Sequence, residues 1–515
     1  MKDPVGLLSF PNELLIIIFE NPKFPVDYLC VLSALCRRLH FLALPIYFRR
    51  CGIPDPSKSV IIPLSKDGAD MLAALSMALF LSSLQDITCM FPHPSCTSIF
   101  PLLPHLDRFR RFISRFPSVK RVTLQLDARN SLCNVVGDDA ALRAWSATLG
   151  GLLNTLVERR CTELTVRYGG YLTRSYTLSA GDPRHPKRVR RALKAMKRLF
   201  RPRPTMSGKG WEFLRAPDQG RERALISAST RSSKLTTLHI QSAILVMPPC
   251  LNWTLSALRN CSITTLSLSQ ISLDKGLWGP TLSLIAMATP NLPTLSLSEL
   301  DAISDEEILR FCARLPRLVS LKIGRNEEAQ GTPTQCTKGR VPEFRNLACL
   351  VAPADFILYF LRAPQCFPKL QSLCIAFHGK THIRSVGTQL GAVCKALAAS
   401  KVAPSIGLSL ALFSDTIPFD IDAAPSLSRD VTYYFSHVAS LDLEVFPYNS
   451  AEIVRWIRLF SSVQHVSLNV RSKPADVEAD AGRFLKAFSA EKSLLRSIAI
   501  NGKRHNLYDL PTQEA

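Results

Sequence analysis

The chain has 515 residues, 47% of them apolar and 20% charged, and its 63 Lys and Arg outnumber 41 Asp and Glu for a net charge of +22. That composition supplies a sizeable core and excludes a mostly disordered protein. The longest apolar runs, residues 14–19 and 71–81, are far short of the roughly 20 residues a membrane span needs. Residues 1–8, MKDPVGLL, lack the apolar stretch and small-residue cleavage site of a secretory signal. The 15 cysteines are scattered without a CxxC pair, which speaks against a disulfide framework or a zinc site and for a reducing, intracellular compartment, cytoplasm or nucleus.

Residues 8–48 read LSFPNELLIIIFENPKFPVDYLCVLSALCRRLHFLALPIYF. Pro11 suits the first position of a helix, where a missing N–H costs nothing. Leu14, Leu15, Ile18 and Phe19 follow at helical spacing, and Asn21-Pro22 stops the run. A second period starts at Asp27, with Leu29, Leu32, Cys36 and Leu39 at i, i+3, i+7 and i+10. A third short helix is predicted around 41–44 and cut by Pro45. Three helices in about forty residues close only a small core, and such a unit needs a partner or the next domain for stability.

This stretch resembles the F-box, the module that ties substrate receptors to the Skp-type adaptor of cullin–RING ubiquitin ligases. The resemblance rests on Leu8, Phe10-Pro11, Glu13-Leu14-Leu15, Ile18-Phe19, Leu32-Ser33, Cys36-Arg37, Leu39, Leu42 and Pro45 with Tyr47. Phe10 stands where the family most often has leucine, no tryptophan follows Cys36-Arg37, and Ile16 and Ile17 are apolar where polar residues are usual. The resemblance implies that Leu8, Phe10, Pro11, Leu14, Leu15, Ile18, Phe19, Leu32, Cys36, Leu39 and Pro45 contact the adaptor. It also implies a cullin scaffold as a partner.

Beyond Cys51 a repeat takes over. Four copies share the spelling Pro-x-aliphatic-x-x-aliphatic-x-aliphatic, beginning at Pro117, Pro290, Pro316 and Pro368. Copies without the proline centre on Leu238, Leu266, Leu350, Leu441, Val466 and Ile498, with a weaker one on Ile87. One such triplet means little in so apolar a chain, but centres recur every 23 to 32 residues, from Leu238 through Leu266, Leu295, Leu321 and Leu350 to Leu373, and again from Leu441 through Val466 to Ile498. The gap between Leu373 and Leu441 holds a further candidate strand at 406–412. Helical stretches fill the intervals: Ser304-Asp-Glu-Glu307 is a capping box, Ser450 opens another with Ile453, Trp456, Ile457 and Phe460 on one side, and Leu142, Trp145, Leu149, Leu153 and Leu156 form an earlier one. A strand and a helix at this period are the signature of a leucine-rich-repeat-like solenoid. The usual asparagine after the third aliphatic occurs at Asn326 and is missing from most copies, so an irregular array, or an ordinary parallel α/β domain, fits the pattern.

Two segments interrupt the period. Residues 176–233 carry no clear repeat, and within them 187–203 reads KRVRRALKAMKRLFRPR, with nine Lys or Arg and no acid. Val189, Leu193, Met196 and Phe200 give this predicted basic helix one apolar stripe. Lys187, Arg188, Arg190, Arg191, Lys194, Lys197 and Arg198 are its candidates for an acidic partner, a nucleic acid or a membrane surface. Packing of the stripe on the repeats is the plainer reading. Residues 203–220, rich in Pro and Gly, are expected to be a loop, as is the polar stretch 324–342.

No Gly-rich phosphate loop, GxSxG or HExxH occurs. His378 and His382 read as part of a turn, and Asp420 and Asp422 belong to an acidic loop at 415–430 that suits a solvated rim better than acid–base chemistry. No cofactor, metal or catalytic group is expected. The sequence thus predicts an α/β chain: an F-box-like three-helix module over 1–52, irregular repeats over 53–173, a basic insertion over 174–234 and a leucine-rich-repeat-like solenoid over 235–510. The function implied by the resemblance is that of a substrate receptor holding an unknown protein. A basic scaffold for nucleic acid or membrane, with the N-terminal helices only a cap, is the alternative.

Overall fold

The computed structural model describes residues 7–64, 69–92, 99–126, 139–170, 176–180, 211–215, 233–247, 250–274, 276–324, 343–363, 365, 367–377, 383–400, 403–412, 429–445, 450–470, 482, 484–485 and 495–506. The chain divides into two compact units, Met1–Leu266 with Ile271–Thr289, and Ser267–Gln270 with Pro290–Ala515.

The first unit opens with three helices, α1 (Asn12–Glu20), α2 (Val26–Leu35) and α3 (Arg37–Arg50). Pro11 is the residue that caps α1, one position before the place expected for it. The third helix departs further from expectation: α3 runs through Pro45 and on to Arg50. A proline inside a helix removes one backbone hydrogen bond, but Leu39, Ala43, Leu44, Ile46, Tyr47 and Phe48 are all buried along α3, on both sides of that gap. Packing outweighs the lost bond. Cys36 adopts an extended conformation (φ −157°) between α2 and α3, so the apolar period drawn from Leu29 to Leu39 is broken there into two helices.

Strand–helix units follow: β1 (Ser59–Pro63), α4 (Ala69–Met77), β2 (Leu84–Met90), α5 (Leu103–Ser114), β3 (Val119–Gln125), α6 (Asp139–Glu158), β4 (Glu163–Arg167), β5 (Tyr176–Ala180), β6 (Trp211–Arg215), β7 (Thr237–Gln241), α7 (Leu251–Asn260), β8 (Thr265–Ser272) and α8 (Trp278–Ala288). β1, β2, β3, β4 and β7 pair in that order, all parallel. Their aliphatics align: Val60, Ile87, Val122, Leu164 and Leu238 share one register line. The helices bury Trp145, Trp253 and Trp278 against this layer, and Trp253 Nε1 donates to Asn154 Oδ1 at 3.0 Å, tying α7 to α6. β5 and β6 form a separate antiparallel pair. The loop expected at 203–220 therefore contains a strand; Trp211-Glu-Phe213-Leu-Arg is rich in aromatic, strand-favouring residues.

The second unit repeats the plan with β9 (Thr294–Asp301), α9 (Asp305–Cys312), β10 (Ser320–Ile323), β11 (Cys349–Ala352), α10 (Ala354–Leu361), β12 (Ser372–Ala376), α11 (Ile383–Ser400), β13 (Ser405–Leu412), α12 (Arg429–Phe435), β14 (Val438–Val445), α13 (Ser450–Ile457), β15 (His465–Val470), β16 (Ser497–Ile500) and β17 (Lys503–Asn506). Leu295, Leu321, Leu350 and Leu373 are register partners across β9–β12, as the repeat spacing requires. All pairs from β9 to β16 are parallel, and β17 turns back antiparallel on β16. With a one-residue register shift between Ile406 and Gly407, Ile406 lies opposite Val438 and Leu408 opposite Leu441. A Cβ at Gly407 would lie 2.5 Å from Ser440 Oγ, so a larger residue there would force that hydroxyl to another rotamer. The α9 capping box is formed in both directions: Glu307 N donates to Ser304 Oγ (3.3 Å) and Ser304 N to Glu307 Oε2 (3.0 Å). Arg429 and Asp430, expected in the acidic loop, begin α12.

A positive φ recurs near the ends of three strands, one position before the place of the repeat asparagine. Tyr168, Gln270 and Glu299 stand four residues after Leu164, Leu266 and Leu295 and adopt positive φ of 61°, 55° and 51°. The left-handed region costs a non-glycine residue about 1 kcal/mol, and it recurs at the same repeat position within β8 and β9 and just after β4.

Candidate functional site

The site is built on α1–α3, and the sorting of their apolar residues defines it. On α1, Leu15 and Phe19, one helical turn apart, are fully buried. Leu14, Ile17 and Ile18 project from the other side and remain exposed, Ile17 by 65%. α2 divides the same way. Leu29 and Ser33 face inward, while Tyr28, Val31 and Leu35, at i, i+3 and i+7, are each exposed by 59 to 65%. Phe41 adds an exposed ring from α3, with the Arg37 guanidinium 5.8 Å from its centroid. A helix apolar on every side is normally buried on every side. Large exposed apolar surface on a folded module marks an interaction site.

Polar contacts hold the module in shape behind that surface. Arg38 donates to Asn12 Oδ1 (2.8 Å) and to the Phe10 carbonyl (2.6 Å), fixing the start of α1 against α3. Arg50 donates to the carbonyls of Phe24 (2.6 Å) and Pro22 (3.2 Å), satisfying backbone acceptors beyond the C-terminus of α1. Arg49 pairs with Glu20 at 2.8 Å across an exposed surface. His40, buried, lies between two partners. Leu79 N donates to its Nε2 at 3.1 Å, which leaves Nδ1 as the donor to the Ser33 carbonyl, also at 3.1 Å. Phe80 packs against the rings of His40, Phe41 and Phe48. These contacts join the three helices to the segment after α4, so the following repeats supply the support that a core this small needs.

The predicted contact residues fall into three groups. Pro11, Leu14 and Ile18 are exposed, and Phe10, Leu32, Cys36 and Pro45 are half-buried. Leu15, Phe19 and Leu39 are buried and belong to the module's own core, not to its accessible face. Leu8 lies in a short 3-10 turn, Leu7–Ser9, with its side chain outside the described residues. Sequence reasoning did not single out Ile17, Tyr28, Val31, Leu35 or Phe41 as contacts. The apolar run 14–19 was the available signal, since no single helix face can bury six consecutive apolar residues. The basic run with Lys187, Arg188, Arg190, Arg191, Lys194, Lys197 and Arg198, the pair His378 and His382, and Asp420 with Asp422 lie outside the described residues.

A second surface is the sheet face turned away from the helices. Side chains alternate along a strand, so the residues between the buried aliphatics line it. In the first unit Asp86, Arg121 and Glu163 are register neighbours, with Asp86 and Arg121 paired at 2.9 Å. Thr88, Thr123 and Thr165 form the next row. His239 Nε2 approaches Glu163 Oε1 to 3.5 Å. Burial chiefly, with the charge of Arg167, holds His239 below its ordinary value despite that carboxylate, so the contact is that of a neutral imidazole. In the second unit the corresponding positions of β9–β13 include Ser296, Ser320, Lys322, Cys349, Ser372 and Gly407, and β14 adds the carboxylates of Asp442 and Glu444.

Among the described residues no three His, Cys, Asp or Glu are grouped to hold a metal, and no helix is long and apolar enough to cross a membrane. Burial pushes the thiols of Cys161, Cys312 and Cys374 up to about 12, which keeps them protonated at neutral pH.

No family model matches the chain, and no curated protein sequence matches it. Among solved structures it is similar to the crystal structure of the Rad7 and Elc1 complex in yeast, with a TM-score of 0.34, 12% identity, and 90% of each chain covered.

Proposed function

We propose that this chain is the substrate receptor of a cullin–RING ubiquitin ligase. In this reading α1–α3 are an F-box that binds a Skp-type adaptor, and the parallel strand–helix array is a leucine-rich-repeat-like solenoid that holds a protein substrate. One observation carries it: three helices whose sequence resembles the F-box leave Leu14, Ile17, Ile18, Tyr28, Val31 and Leu35 exposed in two stripes, on α1 and α2. Such a face is unfavourable in water and suits an apolar partner. The receptor needs no reacting group of its own. Holding a target beside a charged conjugating enzyme turns a bimolecular encounter into an intramolecular one, with effective concentrations on the order of millimolar for short flexible tethers. The polar open face of the strands is the surface available for the target.

The test is direct. Purified full-length chain is mixed with a Skp-type adaptor and resolved by size-exclusion chromatography, then titrated by calorimetry. A saturable one-to-one complex is expected. Absence of a complex at concentrations of about 10 μM, well above the Kd of a specific interface, overturns the reading. Steeply salt-dependent binding to nucleic acid without adaptor capture would instead favour a basic scaffold.

A further inference from the structure

In the first unit the segments that lead into β4, β7 and β8 are tied together by one repeated contact. Thr162, Thr236 and Thr264 each stand one residue before their strand, and each hydroxyl donates to a carbonyl of the preceding repeat. Thr162 Oγ1 reaches the Lys120 carbonyl at 2.8 Å, Thr236 Oγ1 that of Thr162 at 3.1 Å and Thr264 Oγ1 that of Thr236 at 3.2 Å. The backbone N–H of each threonine donates to the same carbonyl, at 2.9, 3.0 and 2.8 Å. This doubly held ladder fixes the margin of the sheet from β3 to β8.

The side chains displayed there are basic. Arg160 and Lys234 stand two positions before Thr162 and Thr236, Arg159 lies beside Arg160, Lys120 is exposed in β3, and Arg259 is exposed in the last turn of α7. Among the described residues none of these five side chains has a hydrogen-bond or ion-pair partner. Segments 158–162, 233–236 and 259–264 hold a single acid, Glu158, and the next carboxylate along, Glu163, lies against His239 at 3.5 Å. Like charges on neighbouring strands repel one another, and an ordinary solvated face mixes both signs. Arg160 is strained as well. Cys161 N donates to the Leu156 carbonyl at 3.1 Å and Arg160 N to that of Val157 at 3.2 Å, which ends α6 with Arg160 in the left-handed position (φ 58°) usually filled by glycine. Backbone geometry favours glycine at this point, so the value of the arginine lies in what its side chain meets.

At a strand spacing of about 4.8 Å, the row from β3 to β8 is roughly 14 Å long. That is the span of roughly four residues of extended chain, in which alternate side chains point to one side about 6.6 Å apart. Carboxylates at alternate positions would face successive cations, whose long side chains absorb the difference from the strand spacing, and the guanidinium groups can take carboxylate oxygens two at a time. A nucleic acid fits less well: single strands are held by aromatic rings as well as by cations, and segments 158–162, 233–236 and 259–264 contain no aromatic residue. We propose that this margin binds an extended acidic segment of a partner protein, with its carboxylates at alternate positions. The proposal is independent of the adaptor reading, since it uses no residue of α1–α3.

Fluorescence anisotropy of a labelled peptide of alternating Glu and Ser, titrated with the full chain, tests it. The same peptide with Gln for Glu and a single-stranded oligothymidylate of equal charge are the comparisons. Saturable one-to-one binding that weakens with salt is expected, about tenfold or more tighter than for the Gln peptide. Arg160→Gly removes the charge and relieves the left-handed backbone, so it should bind the peptide about tenfold more weakly at an unchanged or higher melting temperature. Lys234→Gln should also weaken binding, while Arg143→Gln, at an exposed position of α6, should bind like the parent. The proposal is overturned by absence of saturable binding or by equal binding of the Gln peptide. It is overturned too if Arg160→Gly binds like the parent, the result expected were the basic run 187–203 to hold the peptide. A larger loss for the oligothymidylate than for the peptide in Arg160→Gly would assign the margin to nucleic acid and likewise overturn it.

Discussion

Replacing Leu321 by alanine tests the stacking that the strand register describes. Leu321 is fully buried and lies between Leu295 and Leu350, each only 1% exposed, on the neighbouring strands. Burial of a leucine side chain stabilises by about 1.5–3 kcal/mol. Truncation adds the penalty of the cavity, and measured totals run from about 2 to 5 kcal/mol according to how far the walls collapse. Here the walls hang from β9 and β11, whose backbones are fixed by pairing on both sides, so collapse is limited. A loss of about 3–5 kcal/mol is expected. Leu14→Ala, at a site already 46% exposed, should cost about 1 kcal/mol or less. Urea unfolding with an unchanged m-value gives both numbers. Hydrogen exchange adds location: because each repeat leans on its neighbours, faster exchange should centre on β9–β11 and α9 and leave β15 and β16 protected. A loss below about 1 kcal/mol, or exchange rising equally at β15, would refute the proposed stacking.

Changing Leu14, Ile17 and Ile18 together to serine should weaken adaptor binding by about 2–4 kcal/mol, roughly 30- to 700-fold, with little change in melting temperature; calorimetry and a thermal melt decide it. Ser304→Ala should cost about 1 kcal/mol in urea unfolding through the lost α9 cap, and an unchanged midpoint would refute that role. His105 is held below its ordinary value by burial and then by Arg108, and His239 by burial and then by Arg167. The unfolded chain therefore takes up these protons more readily, so their contribution to stability is complete above about pH 6.5 and declines as pH falls below it. Urea midpoints at about pH 7.5 and 5.5 should differ less in His239→Gln than in the parent.

The strand register was legible wherever aliphatic triplets kept their period, as from Leu295 to Leu373. It was obscure at β1, where Ser57 takes the first apolar position, and at β4, where the long α6 crossover puts Leu164 well outside the usual interval from Val122. Proline grammar misread α3, because burial on both sides of Pro45 is a tertiary term that local rules do not contain. The candidate site was half legible. Apolar residues cover α1 all round, and only the packed fold separates Leu15 and Phe19, which build the module, from Leu14, Ile17 and Ile18, which it displays.

The reversal at β17 bears on solubility. A stack of parallel strands ends in a row of unpaired backbone groups, and β16 would offer such a row to any extended chain of suitable sequence. β17 occupies it with Lys503-Arg504-His505, running the opposite way and largely exposed. Positive charge and inverted direction make this a poor template for a further strand. Deleting residues 501–506 should make the protein self-associate through β16, with light scattering rising with concentration more steeply than in the parent; a profile unchanged from the parent would mean that the edge is guarded by something other than β17.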